Sequence, residues 1–438
     1  MRSLLDTLIS NVTIVTMNER MEILFGAYIG VADGKIVSIS KTAPETPPAT
    51  IVDGTGMVAI PGLINCHTQL AATALRGYLD NLSGREALEQ LLLKEAKMDS
   101  RCAKAAATLG IAECLRFGIT SVSDLYYYPE ATAQAVQEAG IKASLALSAY
   151  RFEEDGDFDF ETDQQCRELV RLTETWHGHD NGRIRIDAGL HAQYTSNHPL
   201  WQGLSSFASE KGLSFQLNLA QEPGEGEDCL DRTGLLPAQL LRCHGLFGVP
   251  TTAAGCGYLD DEEIALLGKH HVTAVSLPLT AGRAGRNSVP VGKCVKAGMN
   301  VALGTGGAQL WGNMDLFETM RAMVLDARRA AGDPAAMPAS AALMMATVCG
   351  ARAQGRSEEC GMLKEGFDAD IVLVDFSAPH LMPCHDVLNG LVFSAKGGDV
   401  AMTMVRGKIL YQNGAFPTLD LKGAVAELTS YAIPKLFS

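Results

Sequence analysis

The stretch Val58–Cys66, VAIPGLINC, is a short apolar run that is followed directly by His67, Thr68 and Gln69. A run of this length, bounded by polar or turn-forming residues, is typical of a buried β-strand. In parallel α/β folds, functional residues commonly follow the carboxyl ends of such strands. The stretch therefore predicts a buried strand that delivers candidate site residues at its end.

Further runs of this kind follow, and helical patterns such as Arg101–Phe117 separate them. The runs are Ile119–Leu125, Ala143–Leu147, Ile184–Leu190, Ser214–Leu219, Thr251–Ala254, Val272–Leu277 and Val301–Gly304. Together with the first run they make eight βα units between residues 59 and 365, which predict an α/β fold, a (β/α)8 TIM barrel. The alternative is an open doubly wound sheet. No G-x-G-x-x-G motif follows a strand, so nothing supports a dinucleotide site.

The two ends of the chain differ from this middle part. Residues 1–58 and 366–438 contain short alternating runs, with turn signals at Asp33-Gly34 and Arg406-Gly407. Both ends are therefore predicted to be rich in β-strands.

Charge and composition exclude several classes of protein. The 36 basic and 50 acidic side chains give a formal net charge of −14, so a nucleic acid polymer is not an expected partner. No apolar stretch approaches the roughly 18 residues needed to cross a bilayer, and the first twenty residues do not form a signal peptide. The eleven cysteines are scattered without a C-x-x-C pair, which favours reduced thiols and a cytoplasmic location.

A TIM barrel carries its site at the carboxyl ends of its strands, so residues that follow the apolar runs are candidate site residues. After the first run these are His67 and Gln69. The others, taken along the chain, are Asp124, Tyr126, His191, Tyr194, Asn218 and Gln221. Asp124 has a structural alternative, because an aspartate after a strand often caps the next turn.

Several motifs together resemble those of the amidohydrolase superfamily. They are PGLINCHTQ at Pro61–Gln69, Leu75-Arg76-Gly77, His191–Ser196, Gly304–Ala308 and the closing segment Gly366–Asp375. The resemblance covers essentially the whole chain and is nearest to the methylthioadenosine/S-adenosylhomocysteine deaminases and the s-triazine chlorohydrolases. It implies a barrel over 59–365 and a small discontinuous β-sandwich formed by 1–58 and 366–438. It also implies a homo-oligomer, since dimers are common in this family.

The resemblance further implies where a metal would bind. The family holds one divalent ion, such as Zn or Fe, with histidines and an aspartate at the strand ends. The matching positions here are His67, Gln69, Asn218, Gly255 and Gly306, so only the first keeps a ligand of the family type. The family's proton-shuttling glutamate corresponds to Gln221.

These substitutions lead to the expectation that no metal cofactor binds. A catalytic zinc site normally needs three protein ligands from Cys, His, Asp or Glu, and glycine offers no side chain. Gln69 and Asn218 offer only neutral amide oxygens, and magnesium or manganese would require carboxylates. Without an ion, bound water keeps a pKa near 15.7 rather than about 7. We therefore expect metal-dependent hydrolysis to be lost.

The resulting hypothesis is a non-hydrolytic relative that binds a small molecule, either purine-like or amide-bearing. Its pocket would be formed by the following residues: His67, Gln69, Asp124, Tyr126, His191, Tyr194, Asn218, Gln221 and Trp311. Trp311 either fills the space left by metal and substrate or stacks on a flat ligand. Two alternatives stay open: an active hydrolase or deaminase with an unorthodox or weak metal site, and a non-catalytic partner of an active paralogue.

Overall fold

The computed structural model describes residues 5–45, 47–79, 82, 84–152 and 158–438. Its strands are β1 Leu5–Val15, β2 Ile23–Ala32, β3 Lys35–Ser40, β4 Pro48–Asp53, β5 Met57–Pro61, β6 Leu63–Thr68, β7 Ile119–Tyr126, β8 Lys142–Leu147, β9 Ile184–Ile186, β10 Ala188–Ala192, β11 Phe215–Leu219, β12 Thr251–Gly255, β13 Thr273–Ser276, β14 Asn300–Leu303, β15 Ile371–Asp375, β16 Val400–Val405 and β17 Lys408–Gln412.

The helices alternate with the middle strands and continue to the end of the chain. They are α1 Gly84–Glu95, α2 Ser100–Arg116, α3 Pro129–Ala139, α4 Gln164–Trp176, α5 His179–Gly182, α6 His198–Lys211, α7 Glu225–Thr233, α8 Pro237–Cys243, α9 Asp261–Lys269, α10 Pro278–Arg283, α11 Val291–Lys296, α12 Leu316–Ala331, α13 Ala339–Met345, α14 Val348–Ala353, α15 Val387–Asn389, α16 Leu421–Glu427 and α17 Ile433–Phe437. None of the helices in the described parts of the chain is long and apolar enough to cross a membrane.

Parallel strands form the barrel in the order of the sequence. One sheet runs β6-β7-β8-β9 and the other β10-β11-β12-β13-β14. The strands β9 and β10 together occupy one strand position of the barrel, because only Asp187 separates them and its N–H donates to Leu145 O. Bridges between Ala149 and Leu190 and between Thr68 and Gly306 join the two sheets. The barrel predicted from the sequence is therefore confirmed, with eight strand positions around the core.

The first apolar run, Val58–Cys66, is two strands rather than one. Its first part lies in β5, which pairs with β1 and β15, and its second part is the barrel strand β6. Gly62 separates them at a close approach, because a Cβ at this residue would lie 2.0 Å from Thr120 Oγ1. The strands contributed by the N-terminal end therefore extend to Pro61, beyond residue 58.

Strands from both ends of the chain share one sheet. Its order is β17-β16-β15-β5-β1-β2-β3, and β4 pairs with β1. This sheet has an apolar core of its own, which includes Ile14, Ile29 and Leu373. The last part of the chain departs from the prediction, because residues 421–437 are helical and bury Leu428 and Leu436 in the cluster that contains Cys102 of α2.

Side-chain caps fix the beginnings of several helices. Asp99 accepts from Cys102 N at the start of α2, and Asn197 accepts from Leu200 N at the start of α6. Asp315 caps α12 and also accepts from Gly397 N at 2.8 Å. Such caps satisfy backbone donors that have no partner within the helix.

A buried ion-pair cluster joins the barrel to the terminal sheet. Lys142, the first residue of β8, is fully buried and donates to Asp368 at 2.7 Å and to Asp370. Asp368 also pairs with Lys35 at 2.6 Å and with Arg406 at 3.1 Å. Burial tends to raise the pKa of Asp368, but Lys142, Lys35 and Arg406 together outweigh it and hold the pKa below its usual value.

Candidate functional site

His67 lies near the end of β6 and is 4 % exposed. Its backbone oxygen accepts from Gly306 N at 3.0 Å, which ties the strand to the segment after β14. Burial lowers the pKa of His67 to about 4, and the charge of His191 lowers it further. The imidazole is therefore neutral at pH 7, the form that has a free ring nitrogen to accept a hydrogen bond or bind a metal.

The strand ends of β10 and β11 bring further predicted residues together. Nδ1 of His191 lies 2.9 Å from Thr195 Oγ1, and Nδ2 of Asn218 donates to His191 O at 2.8 Å. Burial lowers the pKa of His191 as well. Tyr194 contacts the imidazole of His191 edge-on, with ring centroids 6.3 Å apart.

Tyr194 in turn lies beside the side chain of Gln221, which slightly favours the ionised form of the phenol. Burial raises the pKa of Tyr194 to about 12, and the negative charges of Glu225 and Glu222 contribute in the same direction. The phenol is therefore protonated at neutral pH and can donate a hydrogen bond. The structure thus joins His67, His191, Asn218, Tyr194 and Gln221 at one end of the barrel, which we call the barrel mouth.

Asp124 and Tyr126 on β7 have other partners. Asp124 Oδ1 accepts from Thr68 Oγ1 at 2.9 Å and from Leu70 N at 2.6 Å, so this carboxyl caps the turn after β6. Burial raises the pKa of Asp124 to about 7, although these two hydrogen bonds act in the opposite direction. Tyr126 donates to Glu95 and packs in the cluster that contains Met98, so the structure does not place it with the barrel-mouth residues.

Two residues that match metal-ligand positions of the family, Gly255 and Gly306, have a backbone conformation that favours glycine. Gly255 has φ +98° and Gly306 has φ +69°, both in the left-handed region that L-residues rarely adopt. A Cβ at Gly255 would lie 2.5 Å from Gln221 Cβ, and one at Gly306 would lie 3.0 Å from Thr280 Oγ1. Replacing either glycine with a ligand residue would therefore require the backbone to change.

The side chains do not fit a tetrahedral metal site of the usual kind. Across the described residues, no group of three or more His, Cys, Asp or Glu is arranged so that it could hold a metal ion. Cys256, next to Gly255, points its thiol at Ala253 O, and burial raises its pKa. His67 and His191 are the imidazoles at the mouth, and the amides Gln69 and Asn218 add only neutral oxygens. The described residues therefore do not form the usual three-ligand site.

Gln309 is a residue at the mouth that was not predicted from the sequence. Its Nε2 donates to Gln69 Oε1, so this amide lies beside a predicted site residue, and the side chain is 1 % exposed. Trp311 follows on the same segment, and its indole Nε1 is buried with no hydrogen-bond partner among the residues described. The signal in the sequence was the Gly306-Gly307 pair, which permits close packing of the residues that follow.

A buried carboxylate shapes the loop after β11. Glu225 accepts from the backbone N–H groups of Ala220 at 2.9 Å, Gln221 at 2.9 Å and Glu222 at 3.3 Å. These bonds hold Ala220 in a left-handed conformation with φ 46° and fix the start of the loop that carries Gln221. Glu225 is thus a structural residue of the site.

Replacing Glu225 should destabilise the protein because it leaves these buried donors without an acceptor. We expect Glu225→Ala to lower the free energy of unfolding by about 2–3 kcal/mol. Glu227→Ala, at an exposed position of the same helix, is the control and should change it by less than about 0.5 kcal/mol. Urea denaturation would measure both, and equal stability of the two variants would contradict the role of Glu225.

The low pKa of His67 has a consequence for stability. Between pH values of about 4 and 6.5 the unfolded chain binds a proton at this residue that the folded chain does not, so stability rises with pH across this window. His67→Gln should remove about 3 kcal/mol of that rise. Urea titrations at several pH values would measure it, with His271→Gln, an exposed histidine beyond the opposite end of the barrel, as the control. Identical pH profiles for His67→Gln and the unaltered protein would show that the imidazole titrates normally.

Comparison with known proteins identifies the family. A family model described as "Amidohydrolase family" matches residues 58–410, so the chain belongs to the amidohydrolase family. It is 36% identical over 381 residues to a 5-methylthioadenosine/S-adenosylhomocysteine deaminase of Moorella thermoacetica, covering 87% of this chain and 88% of the relative. It is 34% identical over 430 residues to a 5'-deoxyadenosine deaminase of Methanosarcina acetivorans, covering 98% of each.

Solved structures agree on the fold. An adenosine deaminase from Xanthomonas campestris with bound zinc superposes with a TM-score of 0.92 at 26% identity, covering 99% of both chains. An atrazine chlorohydrolase from Arthrobacter aurescens, complexed with zinc, has a TM-score of 0.90 at 24% identity and covers 98% of this chain and 100% of its own. These findings confirm the superfamily and the barrel with its additional β-sheet.

The same comparisons overturn two predictions. The hypothesis of a non-hydrolytic binding protein is wrong, because the similar proteins over nearly the whole chain are named as deaminases. The expectation that no cofactor is involved is contradicted by neighbours that hold zinc. Both errors have one source: single positions such as Gln69 and Gly306 were given more weight than similarity along the entire chain.

Proposed function

We propose that this protein is a hydrolase of the deaminase type, which acts on a small nitrogen heterocycle such as the purine ring of a nucleoside. The observation that carries the proposal is the 34–36% identity to named deaminases over most of the chain. The polar barrel mouth supports it, since its side chains include neutral donors and acceptors that match the edge of a purine.

We assign the binding residues as His67, Gln69, His191, Asn218, Tyr194 and Gln221, with Trp311 covering the ligand. The imidazoles and the phenol are held by burial in their neutral forms, so they orient a ligand through hydrogen bonds. Gln221 has no titratable group and carries no proton in this scheme.

We assign proton transfer to Asp124, whose Oδ1 accepts the two bonds that cap the turn after β6 and whose Oδ2 takes no part in them. Its pKa of about 7 places its titration near neutral pH, the range in which a group is best suited to give and take a proton. Its hydrogen bond with the Thr68 hydroxyl joins it to the last residue of β6, which lies between His67 and Gln69 in the sequence. We expect activity to follow a single ionisation near pH 7, and Asp124→Asn to remove that dependence.

Related structures hold zinc, and within the described parts of this chain the imidazoles at the mouth are those of His67 and His191. Metal-assisted hydrolysis here would therefore use an unorthodox or weak site, with fewer strong ligands than the usual three. Elemental analysis after dialysis against zinc, iron and manganese in turn would measure its occupancy.

The activity is tested by ammonia release. The purified chain should release ammonia from at least one of 5'-deoxyadenosine, 5'-methylthioadenosine and S-adenosylhomocysteine, and His67→Gln should reduce the rate at least about tenfold. His270→Gln is the control, because this histidine hydrogen-bonds to Phe247 O away from the mouth. Lack of release from all three compounds, and of chloride release from a chlorinated triazine, would overturn the proposal.

Two further aspects remain proposals. The eleven cysteines are all unpaired, which supports location in a reducing compartment such as the cytoplasm. A homo-oligomer is supported by exposed apolar residues on α1 and α17, including Leu93 at 59 % and Phe437 at 40 %. Light scattering of the purified chain would test the second.

A further inference from the structure

The segment Gly306–Asn313 follows the last barrel strand and is fixed at several points. Gly306 N donates to His67 O at 3.0 Å, and Arg283 donates to Gln309 O at 3.2 Å. From the opposite side, Arg76 donates to Gly312 O while it also pairs with Glu113. The contacts with His67 place this segment at the barrel mouth, and the two guanidinium groups fix its backbone there.

The side chain of Gln309 is held equally firmly. Its Nε2 donates to Gln69 Oε1, and its amide folds back over Gly307, where a Cβ would lie 2.0 Å from Gln309 Oε1. Any residue other than glycine at 307 would therefore displace the amide. The amide of Gln309 thus lies between Gln69 on one side and Gly307 on the other.

Gln309 Oε1 is nevertheless an acceptor without a donor. It is buried and has no hydrogen-bond partner among the described residues. Buried polar atoms in native proteins are nearly always paired, so an oriented acceptor left unpaired next to a binding site indicates that a ligand supplies the donor. Trp311 Nε1, on the same segment, is a buried donor that also has no hydrogen-bond partner among the described residues.

We propose that Gln309 selects the amino group of the substrate: its Oε1 accepts a hydrogen bond from the exocyclic amine of a 6-aminopurine nucleoside. The inference rests on the proposed deaminase-type function for the substrate class. An acceptor at this place favours an amino group, which can donate a hydrogen bond. It disfavours a hydrogen atom bonded to carbon, which neither donates nor accepts one. It disfavours the 6-oxo group of the product, because two acceptor oxygens then face each other without a proton.

This arrangement gives Gln309 a role in substrate binding and in product release. Hydrolysis replaces the carbon–nitrogen bond of the amine with a carbon–oxygen bond from water and releases ammonia. The donor that satisfies Gln309 Oε1 thereby leaves, and the acceptor becomes unpaired again. Gln309 therefore stabilises bound substrate more than bound product and promotes product release.

The test compares three nucleosides with different groups at position 6 of the purine: adenosine with an amino group, the unsubstituted purine riboside, and inosine with an oxo group and a proton on N1. Dissociation constants are measured with the full chain by stopped-flow tryptophan fluorescence, before turnover proceeds. The unaltered protein should bind adenosine at least about tenfold more tightly than either other nucleoside. In Gln309→Met, which keeps the length but removes the acceptor, the preference over purine riboside should fall to about onefold.

Two further variants distinguish loss of the acceptor oxygen from misfolding of the protein. Gln309→Glu loses the donor to Gln69 but keeps an acceptor oxygen, so it should keep the preference; Gly307→Ala displaces the amide and should lose it. Gln202→Met, on the surface helix α6, is the matched control and should behave as the unaltered protein.

The outcomes separate this inference from the proposed function. Retention of the preference in Gln309→Met, tighter binding of inosine than of adenosine, or no binding of any of the three would overturn the role of Gln309. Selective binding of adenosine without ammonia release would support it while overturning the hydrolase. Ammonia release from a different heterocycle, without purine binding, would do the reverse.

Discussion

Lys142→Met should lower the free energy of unfolding by about 3–5 kcal/mol, the largest effect that we expect from a single substitution outside the barrel mouth. The variant removes a fully buried ammonium group that lies between Asp368 and Asp370. Methionine fills similar volume, so the loss arises because two buried carboxylates are left without their common cation.

A surface partner of the same carboxylate is the control for Lys142. Lys35 pairs with Asp368 at 2.6 Å, but its side chain is 45 % exposed. Exposed pairs are screened by water, so Lys35→Met should cost no more than about 1 kcal/mol. Urea denaturation of both variants measures the difference, and similar losses in the two would contradict a central role for the buried cation in joining the barrel to the sheet.

Gly255→Ala should lower the free energy of unfolding by about 2–4 kcal/mol, the largest effect that we expect from a small substitution at the barrel mouth. The residue has φ +98°, and its new Cβ would lie 2.5 Å from Gln221 Cβ. Gly298→Ala separates the two causes, because Gly298 has φ +86° with no atom within 4 Å of the added Cβ. Gly298→Ala should lower the free energy of unfolding only by the cost of the backbone conformation, roughly 1 kcal/mol.

The result bears on how a family-type metal site could be restored. If Gly255→Ala is as stable as Gly298→Ala, the mouth tolerates a side chain at residue 255, and a histidine ligand could be introduced by substitution alone. The geometry predicts the opposite. Restoring a ligand there would also require the loop after β11, which carries Gln221, to move.

The barrel was predictable from the sequence because its signal is repeated. Each apolar run is buried on both faces of a parallel strand, and a helix of suitable length follows most of them. The boundary at Gly62 was not predictable, since one continuous apolar run crosses from the terminal sheet into the barrel. The division into 1–58 with 366–438 and 59–365 stays a prediction.

The candidate site was predictable in part. Residues at strand ends, such as His67, His191 and Asn218, follow from barrel geometry, because these ends converge. Tyr126 was assigned to the pocket although its hydroxyl reaches Glu95, because strand position does not specify where a long side chain finds its partner. Gln309 was missed because its contact with Gln69 joins residues 240 positions apart.

The activity was misjudged for a related reason. Ligand counting at five positions predicted loss of function, whereas similarity along the whole chain supports an active hydrolase. The two conclusions rest on different physical quantities: the first on which atoms can hold an ion, the second on a complete framework of strands and loops.

One measurement tests the central claim most directly: ammonia release by the freshly purified chain from 5'-deoxyadenosine and 5'-methylthioadenosine, with the metal content of the same sample determined in parallel. Our account predicts turnover that depends on His67 and follows an ionisation near pH 7. Nucleoside that stays intact after prolonged incubation, with each divalent metal supplied in turn, would contradict it.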